Sequence, residues 1–212
     1  MSIVRAVNVG EAIEIESKRG RSGIDKRPVD GAVLVTVPGA GGSGLAGDEI
    51  VDGDAHGGPE QAVYAYARED LDRWQTELGV ELADGTFGEN LTTVGVDITG
   101  TEVGELWRVG EELVLRVTTP RIPCRTFGAW LGREGWLKTF TQHAVPGTYL
   151  SVVEPGHVRA GDPVTVLERP GHGVTVGMAF RAVTLEPELL PRIDVDGVHD
   201  KLRATARKRV SA

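Results

Sequence analysis

The chain has 212 residues and a formal net charge of −8, from 23 Lys and Arg against 31 Asp and Glu. That length suits one well-buried domain with at most a small appendage, and the acidic balance argues against a nucleic-acid-binding surface, which needs a basic face. A single cysteine excludes an internal disulfide framework and a zinc site built on paired cysteines; it leaves a buried inert thiol, a stray thiol or a working one.

Residues 1–10 show no charged start followed by an apolar core, so no secretory signal is expected. No stretch reaches the roughly 18–20 apolar residues of a membrane span. The expectation is a soluble, cytoplasmic protein with neither nucleic acid nor membrane as partner. Ile13 and Ile15 alternate with Glu14 and Glu16, a period of two. Ala32 to Val37 is a short apolar run rich in β-branched residues, ended by Pro38 and Gly39. Gly39, Gly41 and Gly44 then fit G-x-G-x-x-G, the dinucleotide-binding spacing. That motif needs a helix at the third glycine. Here Gly47, Gly53, Gly57 and Gly58 follow, and each glycine costs a helix about 1 kcal/mol against Ala. The segment is read as a flexible loop. Leu71, Trp74 and Leu78 fall at i, i+3 and i+7, which predicts an amphipathic helix over Glu69 to Leu78. Leu113, Leu115 and Val117 alternate along a strand; Tyr149 to Val153 and Val164 to Leu167 are further strands, separated by turn-rich residues. Short strands at this spacing suggest a barrel or sandwich. After Arg169-Pro170-Gly171 the period of two is lost, and two or three short helices are expected beyond about residue 172, broken near Pro187 and Pro191. The basic end, Lys201 to Arg209, reads as a solvated helical face, with docking of an acidic electron-donor protein as the alternative.

The surroundings of the cysteine are more informative. Cys124 sits in Thr119-Pro120-Arg121-Ile122-Pro123-Cys124-Arg125-Thr126. Two prolines fix their own φ and push the residues before them into extended backbone, so the thiol lies on a stiff, non-helical segment after a strand. Stiffness suits a ligand or nucleophile. Arg121 and Arg125 flank it; cations favour thiolate over thiol, and guanidinium groups bind phosphate. The alternative is a small buried hydrophobe. His56-Gly57-Gly58 could form a tight turn with backbone N–H groups free for an anion, or be an ordinary turn. In Phe87-Gly88-Glu89-Asn90 a glycine turn enters a strand, with Asn90 placed to cap backbone groups. Lys26 and Arg27 precede the Ala32 strand as a basic pair. There is no H-E-x-x-H, P-loop, G-x-S-x-G or C-x-x-C, so the familiar hydrolase, NTPase and zinc readings lack support.

Six segments occur in a fixed order: KRPV (Lys26 to Val29), LAGD (Leu45 to Asp48), HGGPEQAVYAY (His56 to Tyr66), FGENLTT (Phe87 to Thr93), PRIPC (Pro120 to Cys124) and VVEPGHVRAGD (Val152 to Asp162). Together they closely resemble the MOSC domain, named for the C-terminal domain of molybdenum cofactor sulfurases. The chain is most similar to its stand-alone bacterial branch with a helical C-terminal tail. The resemblance implies a mainly β, α+β fold: a twisted, barrel-like β domain over residues 1–170 with a few helices, and a small helical appendage over 171–212. It implies a molybdenum–pterin cofactor with Cys124 as metal ligand and catalytic residue. Lys26, Arg27, His56, Gly57, Asn90, Arg121 and Arg125 are the positions expected to bind the cofactor, chiefly its phosphate. The implied activity is that of an oxidoreductase acting on small N-hydroxylated compounds. The chain carries no flavin or iron–sulfur motif, so electrons would come from an external donor protein. Two alternatives stand beside this: a persulfide carrier or transferase using the same cysteine, and a carrier that binds the cofactor without turnover.

Overall fold

The computed structural model describes residues 1–210, so the last two residues of the expected appendage lie outside the described residues. The chain begins with strand β1 (Ile3–Val9), then a hairpin of two-residue strands, β2 (Ile13–Glu14) and β3 (Arg21–Ser22). Next come β4 (Arg27–Pro28), β5 (Val33–Val35), a 3-10 turn at Pro59–Gln61, β6 (Val63–Ala67), helix α1 (Arg68–Leu78) and β7 (Leu91–Val94). Strands β8 (Leu106–Val109) and β9 (Leu113–Pro120) lead into helices α2 (Arg125–Leu131) and α3 (Trp136–His143). After β10 (Thr148–Glu154), β11 (Gly156–Val158) and β12 (Val164–Glu168) the chain ends in α4 (Val176–Thr184), a 3-10 segment at Pro187–Ile193, and α5 (Asp200–Val210).

Eight strands form one sheet in the order β12-β8-β9-β10-β6-β7-β1-β4, with β5 and β11 paired as a separate ribbon. All pairs in the large sheet are antiparallel except β6 with β7. That one parallel pair needs a crossover, and α1 supplies it. The sheet curls until the start of β1 meets the start of β12. Val4 N–H donates to the Asp162 carbonyl at 2.9 Å and Val164 N–H to the Ser2 carbonyl at 2.9 Å. The two ends touch there without pairing along their length, so the fold is barrel-like but not a closed barrel.

Strand β6 explains how one sheet serves two cores. Its five residues, Val63 to Ala67, are all buried. Side chains alternate faces along a strand, so Val63, Ala65 and Ala67 join an aliphatic core while Tyr64 and Tyr66 join an aromatic one. The aliphatic core contains Val4, Leu91, Leu115 and Leu150, and also Val176, Ala179 and Ala182 of α4 and Leu202 and Ala206 of α5. The terminal helices therefore bury their apolar stripe in the same core as the sheet. The aromatic core lies under α1, α2 and α3, with Trp74, Phe87, Phe127, Trp136 and Phe140 in contact.

Helix α1 matches its expected span to one residue and stops at Gly79, whose φ of 65° suits a helix C-cap. The three helical segments after residue 172 appear as expected, with both prolines inside the 3-10 segment. Gly44 is followed by loop and not by a helix, as the glycine count requires.

Candidate functional site

Strand β9 continues three residues beyond the expected Val117, to Pro120, and α2 begins at Arg125. The four residues between belong to neither element, and Cys124 sits immediately before the helix in extended backbone with φ −121° and ψ 167°. The thiol, half-buried, opens on a cleft of about 770 Å³, its mouth included. Of the residues expected to bind a cofactor, Lys26, His56, Gly57, Asn90 and Arg121 share this cleft with Cys124.

Burial pushes the Cys124 thiol up, but three groups outweigh it: a hydrogen bond with His56, the charge of Arg121 and the backbone N–H of Phe127. The net result is a thiol lowered to about 7. Such a group is substantially thiolate near neutrality, the form that binds metals and attacks sulfur.

Arg121 is 6% exposed and lies over the Phe127 ring, its guanidinium carbon 3.6 Å from the ring centroid. Tyr64 and Phe140 are further aromatic neighbours, at 5.6 and 5.7 Å. The rings attract the cation by about 2 kcal/mol when it is desolvated. That does not match the several kcal/mol that burying an ion costs. Its Nη1 is buried without a hydrogen-bond partner, so this corner of the cleft holds a positive group with donor capacity left over.

Lys26 is handled differently. Its ammonium contacts the Asp48 carboxylate, whose side chain is 0% exposed. Asp48 also accepts from Ser43 Oγ at 2.6 Å, Asn90 Nδ2 at 3.0 Å and the Gly10 N–H at 2.9 Å. Burial lowers the Lys26 pKa, and Asp48 opposes that shift. Asn90 caps backbone as expected: its Oδ1 accepts from Tyr64 N–H at 3.0 Å. Behind it Glu89, fully buried, accepts from the N–H groups of Gly85 and Phe87 and from the Thr92 hydroxyl. Burial raises this carboxyl to about 7, against those donors.

His56 is positioned by glycines. Gly57 has φ 75°, and a Cβ there would meet the Gly42 carbonyl oxygen at 2.6 Å. Gly41 and Gly53 touch backbone to backbone, a Cβ on Gly41 lying 2.7 Å from the Gly53 Cα. The glycine-rich loop thus packs against the His56 turn and brings the imidazole to the thiol.

Two expected residues lie outside the cleft. Arg27 follows Lys26 in extended backbone, where successive side chains point to opposite sides; it is exposed and pairs with Asp25 at 2.7 Å. Arg125, 79% exposed, projects from the first turn of α2 and meets Glu16 of the β2–β3 hairpin. Of the two arginines that flank Cys124, Arg121 thus lines the cleft and Arg125 does not. Lys18, Arg19 and Arg21 of the hairpin add others.

Several lining residues were not singled out from the sequence: Asp48, Gln61, Tyr64 and Tyr149. The first three fall inside LAGD and HGGPEQAVYAY, so a signal existed, but their roles depend on which partners the fold brings. Among the described residues, no group of three or more His, Cys, Asp or Glu side chains is placed to hold a metal ion. A metal here would bring most of its ligands with it. No helix of the described residues is long and apolar enough to cross a membrane.

Residues 52–165 match the MOSC domain. The chain is 32% identical over 180 residues to the uncharacterized protein YflK of Bacillus subtilis, covering 84% of this chain and 79% of YflK. It is 31% identical over 152 residues to a protein named reductase from Gibberella moniliformis, covering 70% of this chain but 26% of that longer protein. Among solved structures, YiiM from Geobacillus stearothermophilus superposes with a TM-score of 0.79 at 23% identity, covering 99% of this chain and 100% of that one. The fold and these likenesses agree, and the chain belongs to the MOSC domain family.

Proposed function

We propose that the chain binds a molybdenum–pterin cofactor in the thiol cleft and reduces small N-hydroxylated compounds there. MOSC domains are associated with molybdenum-cofactor binding in general, and a relative carries the name reductase. The observation that carries the reading is the pairing, in one cleft, of a thiol lowered to about 7 with a buried guanidinium whose Nη1 has no partner. A thiolate ligand and an anion receptor are what such a cofactor needs from the protein. Cys124 would ligate the metal; Arg121 and the turn at His56 and Gly57 would hold the anionic tail; Lys26 and Asn90 stiffen the wall through Asp48. When bound, the cofactor supplies the two-electron chemistry. The overall change is R–NH–OH plus two electrons and two protons to R–NH₂ and water, the electrons coming from an external donor protein. His56, beside the thiol, is placed to hold or pass a proton at its ring nitrogen.

Elemental analysis of protein grown with molybdate tests this. Wild type should carry molybdenum, and Cys124→Ala should lose both metal and N-reductive activity. Full metal content in the variant would remove the ligand role. The same low thiol pKa also favours a persulfide carrier; an added sulfur on Cys124 by mass spectrometry, in metal-free protein, would select that reading instead.

A further inference from the structure

We infer that a second cleft beside the thiol cleft holds the body of the substrate, and that Lys201 and Arg209 of α5 read a carboxylate or phosphate carried on it. The inference rests on the reductase reading and names its substrate class: N-hydroxylated compounds with an apolar body and an anionic group.

The second cleft, about 900 Å³ with its mouth, lies between the sheet domain and α5. His56, Gln61 and Tyr149 line both clefts, so the two share a wall next to the thiol. The new cleft has an apolar floor of Pro120, Ile122, Val183 and Leu202. Ile122, two residues before Cys124, is 48% exposed, uncovered apolar surface of the kind that ligands cover. Its lining carries no carboxylate, in a chain of net charge −8. Its charges come from Lys201 and Arg209, both exposed. Lys201 makes no ion pair among the described residues, and Arg209 donates from Nη1 to the Val183 carbonyl at 2.7 Å, leaving its other donors to face a ligand. At the shared wall, Gln61 Oε1 is buried with no partner. It is an acceptor waiting for a donor, which an N–OH or N–H group directed at the thiol cleft supplies.

The wall is built and held. His199, just before α5, pairs with Glu60 of the 3-10 turn at 2.8 Å, and Arg203 and Arg207 pair with Asp194 at 3.3 and 2.8 Å. Leu202 and Ala206 anchor the helix in the aliphatic core. Much of the basic end of the chain is thus engaged in fixing α5, while Lys201 is left facing the cleft.

Titration calorimetry with benzoate, phenyl phosphate and neutral benzyl alcohol tests the inference on wild type, Lys201→Glu, Arg209→Glu and Cys124→Ala. Wild type and Cys124→Ala should bind an anion at least tenfold tighter than the alcohol, and the tighter of the two anions names the group. Each charge reversal should remove that advantage; Lys201→Glu should leave the melting temperature unchanged, and Arg209→Glu, which gives up the exposed hydrogen bond to Val183, should lower it only slightly. In molybdenum-loaded protein, the same reversals should raise KM for a benzamidoxime bearing a para-carboxylate at least tenfold over the unsubstituted compound, with kcat unchanged. Equal binding of anion and alcohol by wild type, or anion binding that survives both reversals, would overturn the inference while leaving the reductase reading intact. Selective anion binding by a loaded enzyme that reduces no N-hydroxylated compound would overturn the reductase reading and with it the substrate role of this cleft.

Discussion

Two buried cations face the same cleft and are treated in opposite ways. Lys26 meets a carboxylate that three other donors also satisfy, so both oxygens of that carboxylate are occupied. Arg121 has aromatic faces around it and an Nη1 with no partner at all. A closed network fixes geometry; an open one has free energy to gain from a ligand. The contrast separates the scaffold of the site from its working corner, and neither residue type nor burial alone would have done so.

The sharpest way to break this contrast is to open the closed side. Asp48→Ala strands the Lys26 ammonium, leaves the Ser43 hydroxyl without an acceptor, and leaves Asn90 Nδ2 only the Asn8 carbonyl at 3.3 Å. Removing one partner of a buried pair costs about 3–5 kcal/mol, so urea denaturation should show a loss of that size. A loss under about 1 kcal/mol would mean the network is not closed in solution. On the open side the expectation inverts. In Arg121→Met the lost ring attraction, about 2 kcal/mol, is offset by relief of burying an incompletely paired ion. Stability should move by no more than about 2 kcal/mol, whereas molybdenum retention should fall at least tenfold. A large stability loss with full retention would reverse the assignment of the two corners. The smallest effect concerns the thiol. Alkylation of Cys124 should rise with pH through a midpoint of about 7 in wild type. His56→Ala removes the largest of the groups that lower it, so the midpoint should move upward; an unchanged midpoint would remove His56 from the thiol's surroundings.

Much of this arrangement could be read along the chain, and the rest shows what sequence patterns miss. Helix α1 was legible because it has one buried and one wetter face, so the apolar spacing shows the period; strand β9, buried everywhere except at Arg116, was legible because Arg116 and Thr118 break the face opposite Leu113, Leu115 and Val117. Strand β6 was not, because both its faces are buried and Val63 to Ala67 carry no polar alternation. Helices α2 and α3 are seven and eight residues long and include or adjoin Gly128, Gly132 and Gly135. Isolated helices this short are marginal; packing of Phe127, Trp136 and Phe140 into the aromatic core holds them. At the site, the two prolines before Cys124 announced a rigid thiol. Which of Lys26 and Arg27 would turn inward depends on strand register, and the part played by Asp48 depends on partners far away in sequence. Neither leaves a local mark.

The backbone contacts among Gly41, Gly42, Gly53 and Gly57 carry a consequence for how this protein tolerates change. Glycine-rich surface stretches are ordinarily where a chain accepts substitution and insertion most freely. Here the two loops pass so closely that a single methyl group on Gly41 or Gly57 would have to push backbone aside, and the piece displaced would be the turn that carries His56. In a saturation library, these featureless residues should behave like core positions, while Arg27, charged and close to the site in sequence, should accept almost anything.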